Sequence, residues 1–345
     1  MALRSLALTL AAAYISQPLS LVMSMKIYPS EDIAALKPYT YYASAGYCKP
    51  EDTLTWKCGE NCEANAQFQP FASGGDGNAT QYWYAGYDPK IDSVIVGHQG
   101  ADINLEHVIM TVMDIDIVDP DPVMFPGMIK KGVAMHAGFM RAHASSAADV
   151  MAAVKQATEK HNTKNVTFVG HSLGAALGSL DAVQLSLQDP SLNIRVIGYG
   201  MPRVGNTAFA DYIDEKIKVT RINNKLDPIP IVPPTEYGYY HPSGEIHILE
   251  TGDWVVCPGQ ESNDGTCSAG AVEHMFAGAI TDHSGPYDGV VFGCGPSTLA
   301  DILSPADSDS TPQGEINAST PEVPKLVEQD PAGSSHIFST KDSEL

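Results

Sequence analysis

The sequence predicts an α/β protein whose mostly parallel central sheet is covered by helices on both faces. Two observations support this prediction. Short runs of β-branched and aromatic residues alternate with helical segments along the middle of the chain, which is typical of parallel sheets. One such run also leads directly into a Gly-x-Ser-x-Gly pattern, which a helix of small residues follows. The predicted strands span 93–97, 165–169, 194–199 and 218–222, and the predicted helices span 146–160 and 173–187.

The helix over 146–160 has a clear amphipathic pattern. We expect Ser146 to cap its N-terminus, because a serine hydroxyl can accept a hydrogen bond from the free N–H groups of the first turn. The apolar residues recur at helical spacing, which predicts a buried stripe on one face. The stripe consists of Val150, Ala153, Val154 and Ala157.

The turn Gly170-His171-Ser172-Leu173-Gly174 carries the strongest functional signal in the chain. A serine on a sharp strand-to-helix turn requires a strained backbone angle, and glycines on both sides let the strand and the helix approach each other. The turn also places the positive end of the helix beside the position where an oxyanion would form. A bare Gly-x-Ser-x-Gly pattern occurs by chance in other chains, but its context here makes Ser172 the predicted nucleophile.

The chain of 345 residues is expected to contain three parts. Residues 1–24 have the charged start and short apolar run of a secretion signal, with cleavage after Ser24 or after Ser20. Residues 25–296 form the α/β domain, and residues 297–345 form an acidic, Ser- and Pro-rich tail that we expect to be disordered. The apolar run is too short to span a membrane, so we predict a secreted, soluble protein. We also expect a monomer.

The net charge of −21 argues against binding to nucleic acid or to anionic membrane surfaces. Two Asn-x-Thr sequons, at Asn78 and Asn165, are expected to be glycosylated in an exported protein. No cofactor and no metal is expected.

Six cysteines allow three disulfides in an oxidising compartment. Cys58 and Cys62 are close enough for a local loop, as are Cys257 and Cys267, which leaves Cys48 for Cys294. Fifteen pairings are possible in principle, so the sequence alone does not choose among them. A zinc site is the alternative for Cys58 and Cys62, but no second Cys or His pair of suitable spacing follows.

A nucleophilic serine needs a base and a carboxylate, and in α/β-hydrolase sheets the acid and then the histidine follow the serine in the chain. Asp227 is the favoured acid because it follows a predicted strand, whereas Asp211, Asp214 and Asp253 are expected to be solvated. The downstream histidines are candidates for the base, and His283 lies in a loop near the last cysteine. His241 is expected to be a packing or hydrogen-bonding residue and His274 a helix residue; His247 is a further candidate.

Several blocks between residues 41 and 294 resemble those of secreted fungal class 3 lipases, the family of Rhizomucor-type lipases and fungal feruloyl esterases. The matching blocks are Ala43–Cys48, Val96–Gly100, His136–Phe139, Gly198–Asn206, Asn224–Pro230 and Asp282–Tyr287. The resemblance implies an α/β-hydrolase fold and a catalytic triad of Ser172, Asp227 and His283. It also implies an oxyanion hole formed by the backbone N–H groups of Leu173 and Ala101, and it favours a disulfide between Cys48 and Cys294.

Two features depart from the family pattern. The family usually places Ser or Thr at the position of Ala101, so one hydroxyl that would support the oxyanion is absent here. The acidic tail is the second departure, and the family pattern does not explain it.

The segment 103–113 follows the oxyanion loop directly, where the family has its lid. Its apolar residues fall at helical spacing, although a packed surface helix would show the same pattern. These residues are Leu105, Val108, Ile109 and Val112. An apolar lid suits a lipid–water interface, so the sequence predicts a secreted triacylglycerol lipase that forms an acyl-enzyme. The alternatives are a feruloyl esterase or other soluble-ester carboxylesterase, and a non-catalytic relative that binds lipid or carbohydrate.

Overall fold

A computed structural model of the chain describes residues 26–101 and 115–295. Three predicted features lie outside these residues: the secretion signal over 1–24, the tail over 297–345, and the lid with Leu105, Val108, Ile109 and Val112. They therefore stay predictions. Within the described residues, no helix is both long and apolar enough to cross a membrane.

An eight-stranded sheet organises the described residues, and a pair of short strands lies apart from it. The strands are β1 (Gln69–Gly74), β2 (Trp83–Asp88), β3 (Ser93–His98), β4 (Ile117–Val118), β5 (Met135–His136), β6 (Asn165–His171), β7 (Asn193–Tyr199), β8 (Lys218–Asn224), β9 (Glu245–Ile248) and β10 (Trp254–Val256). The large sheet has the order β1-β2-β3-β6-β7-β8-β9-β10. Its five central strands, β3 and β6 to β9, run parallel, and the outer strands pair antiparallel. The predicted mostly parallel sheet is confirmed.

Helices connect the strands and cover the sheet. They are α1 (Ser30–Ala45), α2 (Pro50–Thr55), α3 (Glu60–Glu63), α4 (Ala137–Ala144), α5 (Ala147–His161), α6 (Leu173–Gln188), α7 (Thr207–Lys216) and α8 (Ser268–Ala271). In the described part of the chain, five 3₁₀ turns occur in the loops, at Ile129–Lys131, Ile229–Ile231, Thr235–Tyr237, Met275–Ala277 and Ile280–Asp282.

The core lies on both faces of the sheet. In β3, Val94 and Val96 pack into one apolar cluster, with α5, α6 and α7, while Ile95 packs into a second cluster with α1. Successive side chains of a strand point to opposite faces, so a continuous run of apolar residues is what a strand with both faces covered requires. The predicted covering of the sheet by helices on both faces is therefore confirmed.

The amphipathic helix α5 buries its predicted stripe of Val150, Ala153, Val154 and Ala157. The predicted cap is wrong in its chemistry. Ser146 lies at the N-cap position, but its side chain makes no capping hydrogen bond. Its backbone angles, φ −125° and ψ −14°, lie outside the extended region in which a cap hydroxyl meets the first-turn N–H groups.

Three disulfides join Cys48 to Cys294, Cys58 to Cys62, and Cys257 to Cys267. The first connects the residues just after α1 with the last described residues of the chain, and so closes a loop of 246 residues. Because Cys58 and Cys62 bond to each other, neither provides a thiolate for zinc.

Candidate active site

Ser172 occupies the turn between β6 and α6. The strand ends at His171 and the helix begins at Leu173, and Ser172 between them has φ 56° and ψ −127°. A positive φ of this kind typically costs about 1–3 kcal/mol in a residue with a side chain, and such strain concentrates at functional turns. The turn therefore has the backbone geometry that the Gly-x-Ser-x-Gly pattern predicts.

Close backbone contacts require the two glycines that flank Ser172. A Cβ atom on Gly170 would lie 2.4 Å from the carbonyl carbon of Gly174. A Cβ atom on Gly174 would lie 2.3 Å from the carbonyl oxygen of His98. Because these neighbours are backbone atoms that cannot rotate away, β3, β6 and α6 reach this spacing only with glycine at both positions.

The backbone around the Ser172 hydroxyl is fixed by hydrogen bonds. The Ser172 N–H donates to the carbonyl oxygen of Tyr199 at 2.9 Å, and the Ser172 carbonyl accepts from the N–H groups of Ala175 and Ala176 at 3.0 and 3.3 Å. Leu173 is the first residue of α6, so its N–H has no acceptor within the helix. This N–H lies at the positive end of the helix dipole, which suits it to stabilise an oxyanion.

Asp227 and His283 form a buried hydrogen-bonded pair. The Nδ1 of His283 lies 2.8 Å from the Oδ2 of Asp227, and the two residues are 8% and 1% exposed. Asp227 follows the end of β8, and its other carboxylate oxygen accepts the backbone N–H of Ile229 at 2.9 Å. An ionised Asp227 would therefore hold the imidazole with Nδ1 as the donor and leave Nε2 to act as a base.

The loops that carry the acid and the histidine are fastened to each other. The side-chain amide of Asn224 donates to the carbonyl of Asp282 at 2.9 Å, and the backbone N–H of Leu226 donates to the Asp282 carboxylate at 3.2 Å. Partial burial raises the pKa of Asp282 above its ordinary value, despite this N–H donor and the nearby Lys225. These bonds place Asp227 and His283 in one rigid unit.

His171 connects this unit to the nucleophile turn. Its Nε2–H donates to the carbonyl of His283 at 2.8 Å, and the centroids of the two imidazole rings are 4.3 Å apart. The Tyr47 hydroxyl lies 2.5 Å from the Nδ1 of His171. Complete burial, together with the nearby His283, holds the pKa of His171 well below its ordinary value, so the ring is neutral at pH 7. His171 therefore ties the loop of His283 to the turn that carries Ser172, the next residue in the chain.

Gly200 leaves room for the acid–histidine pair. It has φ +53°, and a Cβ atom there would lie 2.8 Å from both the Asp227 Oδ2 and the His283 Nδ1. No role for Gly200 or for the ring of His171 was predicted from the sequence. Both residues nevertheless lie in motifs that the sequence shows. Gly200 is the second glycine of Gly198-Tyr199-Gly200, and His171 is the first variable residue of the Gly-x-Ser-x-Gly motif.

The loop after β3 lies against the start of α6. The carbonyl of His98 faces Gly174, as described above, and a Cβ on Gly100 would lie 2.8 Å from the carbonyl oxygen of His171. Ala101 is half-buried against the core that contains Leu173. The structure thus brings the loop that carries Ala101 next to the turn that carries Ser172.

The other candidates lie in different surroundings. His241 is buried and donates from Nε2 to the carbonyl of Pro230 at 2.7 Å, as expected of a hydrogen-bonding residue. Both ring nitrogens of His247 face backbone carbonyls, those of Thr266 and Lys225. His274 is exposed and precedes a 3₁₀ turn, so the prediction that it lies in a helix is wrong. The exposed residues Asp211, Asp214 and Asp253 are solvated as expected.

The two predicted glycosylation sites differ in exposure. Asn78 is exposed in the loop between β1 and β2. Asn165 is half-buried at the start of β6, where its side-chain amide donates to the carbonyl of Asp92 at 2.9 Å and accepts from Asn193 at 3.0 Å. Glycosylation at either position stays a prediction.

Solved structures similar to this chain share its fold. A lipase of Rhizomucor miehei, in a complex with its propeptide, superposes with a TM-score of 0.68 at 24% identity, over 79% of this chain and 85% of that chain. A lipase of Rhizopus microsporus var. chinensis superposes with a TM-score of 0.67 at 22% identity, over 85% of this chain and 99% of that chain. At these identities the likeness concerns the fold, which is that of the α/β hydrolases.

Sequence comparisons reach further. The sequence model of the family "Lipase (class 3)" matches residues 101–237. A secreted mono- and diacylglycerol lipase of Malassezia restricta is 32% identical over 251 residues, which cover 68% of this chain and 81% of the relative. Another protein of that description, from Malassezia globosa, is 30% identical over 286 residues, which cover 80% of this chain and 86% of the relative. These matches, together with the shared fold, show that the chain belongs to the class 3 lipase family.

Proposed function

We propose that the protein is an exported serine carboxylester hydrolase that cleaves acylglycerols, with Ser172 as the nucleophile and His283 and Asp227 as its base and acid. The observation that carries the proposal is the buried 2.8 Å hydrogen bond between His283 and Asp227 beside the strained Ser172 turn. Membership in the class 3 lipases and the secreted relatives support the same chemistry and location.

The proposed reaction gives each of these groups one role. The Nε2 of His283 takes the Ser172 proton as the serine oxygen attacks the ester carbonyl, while Asp227 stabilises the imidazolium that forms. The backbone N–H groups of Leu173 and Ala101 stabilise the oxyanion. His283 then gives the proton to the departing alcohol. Water attacks the acyl-enzyme with His283 again as the base, and the carboxylic acid is released.

The substrate class is supported by the relatives more than by the sequence pattern. The preference for triacylglycerol depends on the segment 103–113, which lies outside the described residues. The Malassezia relatives are named mono- and diacylglycerol lipases. We therefore propose acylglycerols in general, with partial glycerides as candidates beside triacylglycerol.

An exposed apolar segment supports action at a lipid–water interface. Met275, Phe276 and Ile280 are 47%, 89% and 54% exposed and lie just before His283 in the chain. The segment is attached to the acid loop, because the N–H of Ala279 donates to the carbonyl of Leu226 at 2.8 Å. Large apolar side chains so close to a catalytic loop favour contact with lipid, since water solvates them poorly.

Replacing the nucleophile tests the proposed chemistry. Ser172→Ala should remove nearly all hydrolysis of p-nitrophenyl butyrate while thermal unfolding stays close to that of the unmutated protein. A folded Ser172→Ala protein with an unchanged rate would contradict the assignment. An unmutated protein that hydrolyses no ester would favour a non-catalytic binding relative.

A substrate series tests the acylglycerol assignment. Initial rates on tributyrin, dibutyrin, monobutyrin and methyl ferulate, each below and above its solubility limit, should be highest on glycerides and should rise when droplets form. Methyl ferulate as the best substrate, with no response to an interface, would favour a feruloyl esterase instead.

The apolar segment can be tested separately. Phe276→Ser should lower the rate on tributyrin droplets several-fold and leave the rate on dissolved p-nitrophenyl butyrate unchanged. Leu54→Ser is the matched control, because Leu54 is also exposed, by 47%, but lies on α2. Equal losses in both variants on droplets would contradict a specific role for Phe276.

A further inference from the structure

A buried carboxylate joins two imidazoles beside the oxyanion loop. Asp181 in α6 accepts a hydrogen bond from the Nε2 of His98 at 2.6 Å and another from the Nε2 of His143 at 2.9 Å. All three side chains are 1% exposed. Within residues 26–101 and 115–295, the Nδ1 atoms of both histidines lack a hydrogen-bond partner. Asp181 is therefore the polar contact that orients each ring there.

The Asp181 carboxylate is hydrogen-bonded on both of its oxygens. Burial alone would raise the pKa of Asp181, but the adjacent His98 and His143 and their hydrogen bonds outweigh burial and hold this pKa below its ordinary value. An apolar replacement of a buried ionic cluster is often as stable as the original or more so. Stability of the helix packing therefore does not by itself account for the cluster.

His98 joins the cluster to the oxyanion loop. It is the last residue of β3, and its carbonyl oxygen lies so close to Gly46 and Gly174 that a Cβ on either glycine would come within 2.7 or 2.3 Å of it. The next residue, Gln99, is held by Tyr82 through two hydrogen bonds, one from its N–H at 2.8 Å and one to its side-chain oxygen at 2.9 Å. Ala101 follows two residues later, so the loop that carries Ala101 begins at the strand end where the His98 side chain meets Asp181.

We propose that Asp181, acting through His98, is a positioning residue that holds the backbone of residues 98–101 against the N-terminus of α6, so that the N–H groups of Ala101 and Leu173 converge on one oxyanion. The inference rests on the proposed serine esterase function. Alanine at position 101 offers the oxyanion only a backbone N–H, so the strength of the hole depends on where that backbone lies. A displacement of about 1 Å at a reacting site can cost about 10²-fold in rate.

Two matched substitutions separate positioning from stability. His98→Leu and His143→Leu each remove one of the two hydrogen bonds to Asp181, but only His98 belongs to the oxyanion loop. For p-nitrophenyl butyrate, His98→Leu should lower kcat about 10²-fold with KM nearly unchanged, as expected for loss of an oxyanion donor. It should also weaken inhibition by butylboronic acid, whose tetrahedral serine adduct places an oxygen in the hole. His143→Leu should lower the unfolding temperature and leave kcat within a few-fold.

Conservative replacement gives a second measure. His98→Gln places an amide nitrogen near the position of Nε2 and should restore most of kcat and of the boronate affinity. Equal kcat losses in the two leucine variants, or an unchanged kcat and boronate affinity in His98→Leu, would overturn the proposal.

If His98→Leu does not fold, the proposal is tested by comparing kcat of His98→Gln with kcat of His98→Asn, whose side chain is shorter. A lower kcat in the asparagine variant alone supports positioning, and equal kcat values overturn it. Failure of the underlying function would be recognised separately, since the unmutated protein would then hydrolyse no ester at all.

Discussion

Replacing Gly200 with alanine should separate His283 from Asp227. The new Cβ atom would lie 2.8 Å from the Asp227 Oδ2, 2.8 Å from the His283 Nδ1 and 2.9 Å from the His283 Cε1. Cβ atoms in proteins essentially never approach other heavy atoms closer than 3.0 Å. The methyl group would therefore press on both ends of the hydrogen bond that orients the imidazole. Because both side chains are buried, neither can move aside freely.

The expected loss combines a backbone effect and a catalytic effect. Gly200 has a positive φ of 53°, and a residue with a Cβ costs about 1–2 kcal/mol in that region. This first effect lowers stability only. The second lowers kcat, by about 10²-fold if the imidazole shifts and by up to about 10⁴-fold if Asp227 no longer fixes its tautomer. KM for a small soluble ester should change little, since the atoms nearest to the new methyl group belong to Asp227 and His283.

Gly252→Ala is the matched control for this experiment. Gly252 also has a positive φ, of 86°, but a Cβ atom there would have no neighbour within 4 Å. Both variants should therefore lose stability in thermal unfolding, Gly200→Ala the more because of its steric clash, whereas only Gly200→Ala should lose kcat on p-nitrophenyl butyrate. A folded Gly200→Ala protein with unchanged kcat, or an equal loss in Gly252→Ala, would refute the reasoning.

Three further predictions concern other parts of the molecule. Ala101→Thr should raise kcat by up to about 10²-fold if the oxyanion hole lacks a hydroxyl donor. An unchanged or lower kcat would mean that the backbone N–H groups suffice or that threonine does not fit. Burial and the nearby Arg221 and Arg203 hold the pKa of His241 well below 6.5, so unfolding takes up a proton below that pH. The free energy of unfolding should then fall as the pH drops below 6.5, and His241→Gln should make this slope shallower by at most about 1.4 kcal/mol per pH unit in guanidinium titrations; an unchanged slope would contradict this. Peptide mapping after deglycosylation should show that Asn78 carried a glycan and that Asn165 carried little, because the Asn165 side-chain amide is engaged in hydrogen bonds. Full glycan occupancy of Asn165 would contradict this, since it would show that these hydrogen bonds do not prevent glycosylation.

The centre of the fold could be predicted because its signals are local. The predicted strand over 165–169 and the predicted helix over 173–187 meet at the two glycines around Ser172. The observed elements, Asn165–His171 and Leu173–Gln188, are only slightly longer than predicted. The buried strand β3 shows a continuous apolar run, and β7 shows one over 196–199, after Arg195. Such runs identify strands without knowledge of their neighbours.

Strands β1 and β9 could not be predicted in the same way. Strand β1 contains Pro70 and ends at Gly74, and it is only partly buried, so its composition resembles a loop. Strand β9 is fully buried but carries Glu245 and His247. Their polarity is satisfied by distant partners, Arg221 and Ser268 for the glutamate and two backbone carbonyls for the histidine. A sequence pattern cannot reveal partners that only the fold supplies.

The candidate site also contains residues that could be predicted from the sequence and residues that could not. Asp227 and His283 could be selected from the order of the residues and the family resemblance, and the structure places them in contact. The cluster of Asp181, His98 and His143 could not be found, because its members are 83 and 38 residues apart in sequence. No local pattern marks a carboxylate in a small-residue helix as the acceptor for two distant imidazoles.

Covalent labelling tests the central claim most directly. A p-nitrophenyl alkylphosphonate ester transfers its phosphonyl group to an activated serine and releases p-nitrophenol. Treatment of the unmutated protein should release one equivalent of p-nitrophenol per chain as esterase activity is lost. Mass mapping should then find the phosphonyl group on Ser172, and Ser172→Ala should remain unlabelled. A phosphonyl group on another residue, or full esterase activity after Ser172 is modified, would contradict the account.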